Sequence, residues 1–529
     1  MAYYLSQTQI LGPVWLSSVD KAILQSHVTA AETEIRNLDS QIEKLKRDKD
    51  TQIASLAFIE NILTPVRRIP NEILSEIFEL ICYPDEGEFY AQFDSVRRTT
   101  VLSQVCAVWR MVAHGTSRIW SRLCLSIPEN SGLFKREGNW VVEWLSHSRE
   151  LPLELYLDFP RDNYEWVIEE EEKLTTYSDD KSLVHGIRGL LNQILGHYPY
   201  LNRIRSLVLT GDPVFFTPLF LLPSLSLQGL ERACMQMTDY FHGIQPATKK
   251  FLLGSKLRHV EIVDSYLESY LETFMLPAEQ LTDLQILTTG SDSDFDPSVY
   301  ADFLRRCSSL VRLDINPPSC SKYNSPSTAR VSLPMLKSLS FIFHPSYDDE
   351  FPGSLLHILA VPLLEEMTLD VQRIELQDLA TDMIALQGNS PTPNLKSLTL
   401  EMGRMHNDPD DLTTALALFP TITSLRLNGT LFDMNPLFKA MTFTQSNVNF
   451  VLLPRIVNLE VECRRNTAYP SELISMILSR SSIADAGLVS MLQSVSILQA
   501  HYMKKTDEDL TRIAELPDSV IYSESRDGQ

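Results

Sequence analysis

The sequence predicts a mixed α/β protein: a long N-terminal helix, a small all-α module, then an irregular run of short strands and helices filling the C-terminal two-thirds. Three observations predict it. A heptad of apolar residues runs from Val28 to Leu63, two short segments after it carry very wide apolar faces, and a six-residue apolar phrase recurs from Ile204 onward. At 529 residues the chain is too long for one ordinary core, so several domains or one elongated repeat are expected.

Residues 1–64 hold the heptad helix. Val28, Ile35, Ile42, Leu56 and Leu63 fall on one seam position, and Ala31, Leu38, Leu45 and Ile59 on the other. Lys49 and Gln52 interrupt the seam. Such a helix either pairs with a second copy, giving a homodimer through a coiled coil, or packs on its own chain. Thr64-Pro65 stops it, because a residue before proline avoids the helical region.

Residues 65–125 form the all-α module. A first helix from about Asn71 carries Ile73, Leu74, Ile77, Phe78 and Ile81. A second carries Val101, Leu102, Val105, Cys106, Val108, Trp109, Val112 and Ala113. Each apolar arc spans roughly 140–160°. Two short helices cannot bury that much within some 60 residues, so part of the surface awaits a partner. The stretch Cys82–Thr100 between them is expected to be a loop. Residues 126–195 follow. Trp140 and Trp144 stand one helical turn apart, Leu153, Leu155 and Leu157 alternate as the strand that starts the sheet, and 165–181 is an acidic solvated linker.

Residues 196–529 carry the phrase L-x-x-L-x-L. It reads IRSLVL from Ile204, LERACM from Leu230, LRHVEI from Leu257, LTDLQI from Leu281, LVRLDI from Leu310 and LKSLSF from Leu336. It continues as LEEMTL from Leu364, LKSLTL from Leu395, ITSLRL from Ile422, IVNLEV from Ile456 and, more weakly, LQSVSI from Leu492. The closing L-x-L alternates with a period of two, so it is a short strand with one buried face. The first Leu closes the corner before it. Pro334, Pro362, Pro393, Pro420 and Pro454 each stand two residues ahead of a phrase, where a strand tolerates a missing N–H. Helices lie between phrases, opened by Asp296-Pro297 and by Asp411. Strand, corner, helix and return, at spacings of 24 to 36 residues, is an irregular leucine-rich-repeat solenoid, a horseshoe. Parallel strands are expected near 207, 260, 284, 313, 339, 367, 398, 425 and 459, on the concave side.

The module's motifs match a known family. Pro70, Glu72, Ile73, Leu74, Ile77 and Phe78, then L-S-x-V-C-x-x-W-R from Leu102 to Arg110, then Ile119, Trp120 and Leu123, resemble an F-box. Heptad helix, F-box, paired-Trp unit and leucine-rich repeats in that order resemble the large F-box protein family of mushroom-forming fungi. The resemblance implies a non-catalytic substrate-recognition subunit of an SCF ubiquitin ligase. Its F-box docks on the ligase adaptor and, through it, on cullin, while the repeats hold a protein substrate for ubiquitination and degradation. Carried over by position, Pro70, Leu74, Ile77, Phe78, Val105, Cys106 and Trp109 would lie at or near the adaptor interface. The alternative is a repeat scaffold for protein binding with no role in ubiquitination.

Composition narrows the partners. Lys plus Arg number 46 against 68 Asp plus Glu, a net charge of -22, which argues against duplex nucleic acid and against an anionic membrane surface. Seven cysteines, widely spaced and without a C-x-x-C, fit a reducing compartment and argue against a metal ribbon. The N-terminus is a poor signal peptide, and the most apolar stretch, Val214 to Leu227, is broken by Pro218 and Pro223. A cytoplasmic or nuclear location is expected. No nucleotide-binding, zincin or nucleophile-elbow motif occurs, so neither catalysis nor a cofactor is expected. On a repeat solenoid the x of each L-x-L faces the concave side. Those positions are Val208, Cys234, Glu261, Gln285, Asp314, Ser340, Thr368, Thr399, Arg426, Glu460 and Ser496. Glu261, Asp314, Arg426 and Glu460 are the expected substrate-binding residues, and their acidic bias favours a basic or neutral-polar protein partner.

Overall fold

The computed structural model describes residues 15–84, 89–126, 140–159, 178–237, 250–264, 269–288, 298–317, 329–343, 354–372, 374–390, 394–402, 409–430, 433–444, 451–463, 470–481, 489–498, 507–517 and 520–525. The chain is a mixed α/β protein with a long N-terminal helix and a large parallel sheet. It divides into two compact units, Met1–Ile77 and Phe78–Gln529.

In the first unit, helix α1 spans Ser18–Leu63 and buries none of its residues. It starts ten residues before the heptad because Ser17 supplies a cap: its Oγ accepts from the Asp20 amide at 3.1 Å. It ends at Thr64, before Pro65 as expected. Helix α2, Asn71–Ile81, crosses into the second unit.

In the second unit come α3 (Ser95–Gln104) and α4 (Ala107–Gly115). Two expectations fail here. The stretch Cys82–Thr100 is not all loop, since Asp94 caps α3 by accepting from the Arg97 amide at 3.0 Å and helix begins at Ser95. The expected second helix is two helices, broken at Cys106. That residue is extended (φ -160°, ψ 172°), and its Sγ accepts from the Trp109 amide, so a thiol takes the capping place of a hydroxyl.

The strands, in chain order, are β1 (Arg122–Ser126), β2 (Leu153–Phe159), β3 (Ile204–Gly211), β4 (Arg232–Met237), β5 (His259–Asp264), β6 (Asp283–Thr288), β7 (Arg312–Ile315), β8 (Val331–Ser332), β9 (Ser338–Ile342), β10 (Leu359–Ala360), β11 (Glu366–Asp370), β12 (Ser397–Glu401), β13 (Ser424–Thr430), β14 (Asn458–Cys463), β15 (Ser494–Leu498) and β16 (Ile521–Ser525). Strands β8 and β10 pair only with each other. The other fourteen described strands form one sheet in which every neighbour is parallel and sequence order is spatial order. The nine expected strands all form there. The sheet starts one strand earlier than the Leu153–Leu157 segment, at Arg122–Ser126, and gains β16, which no phrase announces.

The phrase explains the packing. In LRHVEI, Val260 and Ile262 are buried while Glu261 between them is not. The register keeps leucines beside leucines: Leu284 pairs Leu313, Leu313 pairs Leu339, and Leu398 pairs Leu425. The first apolar residue of each phrase is buried as well, Leu257, Leu281, Leu310 and Leu336 among them. From β4 to β15 the corner carbonyls take two amides from the next repeat. Arg258 O accepts from Thr282 N at 2.9 Å and Asp283 N at 3.0 Å, and Lys337 O accepts from Glu365 N and Glu366 N, both at 2.9 Å. Backbone polar groups in the corners are thereby satisfied largely by backbone, with Thr282 and Thr423 hydroxyls adding bonds to Arg258 O and Lys396 O.

The prolines sit one turn ahead of the strands. Leu336 N bonds Leu333 O at 3.2 Å, Leu364 N bonds Val361 O at 3.2 Å, Ile422 N bonds Phe419 O at 3.3 Å and Ile456 N bonds Leu453 O at 3.2 Å. Pro334, Pro362, Pro420 and Pro454 are therefore second residues of β-turns, a position for which the ring pre-sets φ. Pro393 lies outside the described residues, as do Asp296-Pro297 and 165–177 of the acidic linker. Ser178 to Lys181, expected in that linker, instead open α6 (Ser178–Leu195), and the helix expected from Asp411 begins at Pro409.

Two buried polar residues tie the layers. Arg480, fully buried, donates to Met441 O at 2.8 Å, Leu452 O at 2.8 Å and Leu453 O at 3.1 Å, and burial lowers its pKa to about 10. Asp264, at the end of β5, accepts from Tyr270 N at 2.7 Å, Tyr300 Oη at 2.8 Å and Ser269 Oγ at 2.9 Å. Burial raises its pKa to about 6, against the pull of those three donors. A carboxyl whose folded pKa is raised stabilises the fold when protonated, and that stability is lost as pH rises from about 4 through 6. The urea stability of wild type relative to Asp264→Asn should therefore fall by about 2 kcal/mol between pH 4 and pH 7. A gap that stays constant with pH contradicts this.

Candidate functional site

Two surfaces of the second unit present candidate functional side chains. The first lies on the helical module. Arg98 of α3 donates to Ile81 O at 2.9 Å, and Arg110 of α4 donates to Ser103 O at 3.0 Å, which ties the end of α2, α3 and α4 together. Phe78 is fully buried, with the Trp109 ring 5.0 Å from its own. Outward from this contact, Leu80 (75%), Val101 (54%), Val105 (55%), Val108 (44%) and Met111 (58%) stand exposed.

The seven positions suggested by the F-box resemblance thus separate. Leu74 and Phe78 are core residues. Ile77, Cys106 and Trp109 are half-buried, and Pro70 and Val105 are exposed. Exposed Leu80 and Met111 were not among them. Helical spacing alone offers such residues for either the core or the surface, because an arc this wide includes both.

The module is continuous with the sheet. Trp120 donates through Nε1 to Ala113 O at 2.7 Å, and its ring lies 4.6 Å from Trp144 of α5 (Trp140–His147) and 4.7 Å from His147. Two residues later the chain is already β1. The described part of the Cys82–Thr100 stretch also turns to the sheet. Phe89 lies 6.0 Å from Tyr156, and Gln92 hydrogen-bonds Asp158. Arg122 is clamped there, donating to Glu154 Oε2 at 3.0 Å and Tyr83 Oη at 2.6 Å, with its guanidinium over the Tyr83 and Phe89 rings.

The second surface is the polar face of the sheet. The register brings all eleven central x positions into one row, from Val208 beside Cys234 and Glu261 to Glu460 beside Ser496. Tyr156 and Cys124 extend the row at one end, and Ser523 at the other. Within the row Gln285 donates to Asp314 Oδ2 at 3.1 Å, and Gln236, one row along, donates to Glu261 Oε1 at 2.8 Å. A second row lies two residues earlier in each strand. There His259 Nδ1 stands 2.9 Å from Asp283, which also pairs with Arg312. Strands β4 to β7 and β9 line a groove of about 440 Å³ whose polar lining includes Arg232, His259, Glu261, Asp283, Arg312 and Asp314.

Of the four expected substrate-binding residues, Glu261 and Asp314 share this groove. Arg426 and Glu460 lie on β13 and β14, outside it, and form an ion pair of 2.6 Å. Arg232, His259, Asp283 and Arg312 were missed. The signal was present, since they occupy the second x of L-x-x-L and a period of two puts them on the same face.

Burial raises the Asp314 carboxyl above the usual range, a hydrogen bond with Ser340 opposes that, and the nearby Glu261 carboxylate raises it further. Burial, followed by Glu261, likewise keeps Cys234 a thiol. Among the described residues no cluster of three or more His, Cys, Asp or Glu is placed to hold a metal ion, and no helix is long and apolar enough to cross a membrane. Compared with known proteins, the chain matches no protein-family model and no curated protein.

Removing the Glu261 charge should lower the Asp314 pKa. With Glu261→Gln, a carbon-13 titration of the aspartate carboxyls should show the Asp314 midpoint move down, while burial holds it above the ordinary value. An unmoved midpoint disconnects the two groups.

Proposed function

We propose that the chain is a non-catalytic substrate-recognition subunit of an SCF-type ubiquitin ligase, acting in the cytoplasm or nucleus. Its helical module docks on the ligase adaptor and, through it, on cullin. The sheet is a leucine-rich-repeat horseshoe, and its polar face holds a protein substrate of basic or neutral-polar surface. The observation that carries the reading is the exposed set Leu80, Val101, Val105, Val108 and Met111 on three short helices. Apolar side chains concentrated on one small module mark a protein-docking surface. The motif order from Pro70 to Leu123 supplies the identity of the partner, by resemblance. Glu261 and Asp314 in the central row support the choice of substrate charge.

The burial of Leu74 and Phe78 favours a second reading, a repeat scaffold outside ubiquitination, because it removes two of the seven expected docking residues from the surface. One experiment separates the two. The full-length chain should capture purified SCF adaptor, and Val105→Asp with Met111→Asp should abolish capture while leaving the circular dichroism unchanged, since an unpaired charge is costly in a desolvated contact. Adaptor bound by the double variant at wild-type yield contradicts the docking surface, and no capture by wild type supports the scaffold.

A further inference from the structure

Helix α1 carries a surface that the proposed function does not use. It is 46 residues long, about 70 Å. Its seam side chains are open: Val28 57%, Ile35 57%, Leu38 48%, Ile42 48%, Leu45 66%, Leu56 56%, Ile59 50% and Leu63 58%. A pair of such helices would cover sixteen of these side chains. At on the order of 80 Å² each, they reach the roughly 1,200 Å² at which specific interfaces begin.

We propose that α1 is the dimerisation element of the chain and pairs with a second copy as an antiparallel coiled coil, about a two-fold axis passing between Glu43 and Lys44. Charge selects this arrangement. A parallel, in-register pair puts Lys49 against Lys49 of the partner subunit within the seam. It also puts Glu34 beside Asp39 of the partner subunit, twice by symmetry. Like charges in those places oppose association.

The antiparallel register removes both conflicts. Ile42 faces the partner's Leu45, Val28 faces the partner's Ile59, and Leu56 faces the partner's Ala31. The two polar seam residues no longer meet their own kind, since Lys49 faces the partner's Leu38 and Gln52 faces the partner's Ile35. The long stem of Lys49 covers apolar surface while its ammonium reaches water. Beside the central layers, Asp39 meets Lys46 of the partner subunit, again twice, and the other flanking positions bring no like charges together. Sliding the antiparallel pair by one heptad loses this. One direction sets Asp39 against the partner's Asp39, and the other sets Lys46 against the partner's Lys46.

Within a single chain Lys46 already pairs with Glu43, its Nζ 2.9 Å from Oε1. Both side chains are well over half exposed, so that pair is worth little and does not prevent Lys46 from turning to a partner.

The test is the self-association of the full-length chain, by sedimentation and light scattering, with circular dichroism as a check on helix content. Wild type should be a dimer. Asp39→Lys alone and Lys46→Glu alone should each weaken the dimer about tenfold, because two attractive pairs become repulsive. The double exchange, Asp39→Lys with Lys46→Glu, should restore wild-type affinity. Ile42→Asp with Leu45→Asp should give a monomer. In a parallel dimer Asp39→Lys would relieve the clash with Glu34 and tighten association. A monomeric wild type, an unchanged or tighter Asp39→Lys dimer, or a dimer that survives the seam changes overturns the proposal.

Discussion

A one-residue slip between two strands of the sheet would carry buried apolar side chains to the polar face and polar ones into the core. The in-step parallel register prevents this, and the rest of the second unit depends on it. Two devices enforce it. Each L-x-L stacks beside the next, so that Leu284, Leu313 and Leu339 make one continuous apolar row. Through the middle of the sheet each corner carbonyl receives two amides of the following repeat, as Arg258 O does from Thr282 and Asp283, which fixes where the next strand begins. Side-chain burial sets the face and backbone hydrogen bonding sets the phase.

The polar surface follows from the same constraint. Because the rows are in phase, side chains far apart in sequence become neighbours: Cys234, Glu261, Gln285 and Asp314 are successive members of one row. Local pairing then shapes the field. Around Glu261 and Asp314 the row neighbours are Cys234, Gln285 and Ser340, none of them cationic, so the negative charge is unopposed within the row. At Arg426 and Glu460 the charges cancel across one strand gap. The unopposed acid of the central row thus lies on β5 and β7, while His259 and Arg312 pair with Asp283 in the row beside it. The helical module also depends on the sheet, since its last segment is β1 and its Trp120 is held between Ala113 and the α5 residues Trp144 and His147.

Much of this was legible in the sequence, for reasons that can be named. The phrase L-x-x-L-x-L encodes corner, strand and face together, so strand positions and the identity of the central row could be read without coordinates. Strand β16, with the sequence IYSES, carries no second Leu and was invisible to that pattern. The break at Cys106 was hidden because Leu102, Val105, Val108, Trp109 and Val112 keep helical spacing straight across it, and a cysteine cap is not a signal one looks for. In the module, an apolar arc does not say which of its residues lie inside, so Leu74 and Phe78 could not be told from Val105. For the face, the pairing of Arg426 with Glu460 needed the register of β13 against β14 rather than the spacing along either.

The most direct measurement of the register is a disulfide scan across β11 and β12. Thr368 and Thr399 are partners in the central row, so their Cα atoms should lie within the span a disulfide bridges. Thr368→Cys with Thr399→Cys should oxidise to a cross-link identified by peptide mass, whereas Thr368→Cys with Ser397→Cys, displaced by two residues, should remain reduced. The reverse outcome, with 368–397 linked and 368–399 free, would contradict the in-step register and the polar row built on it.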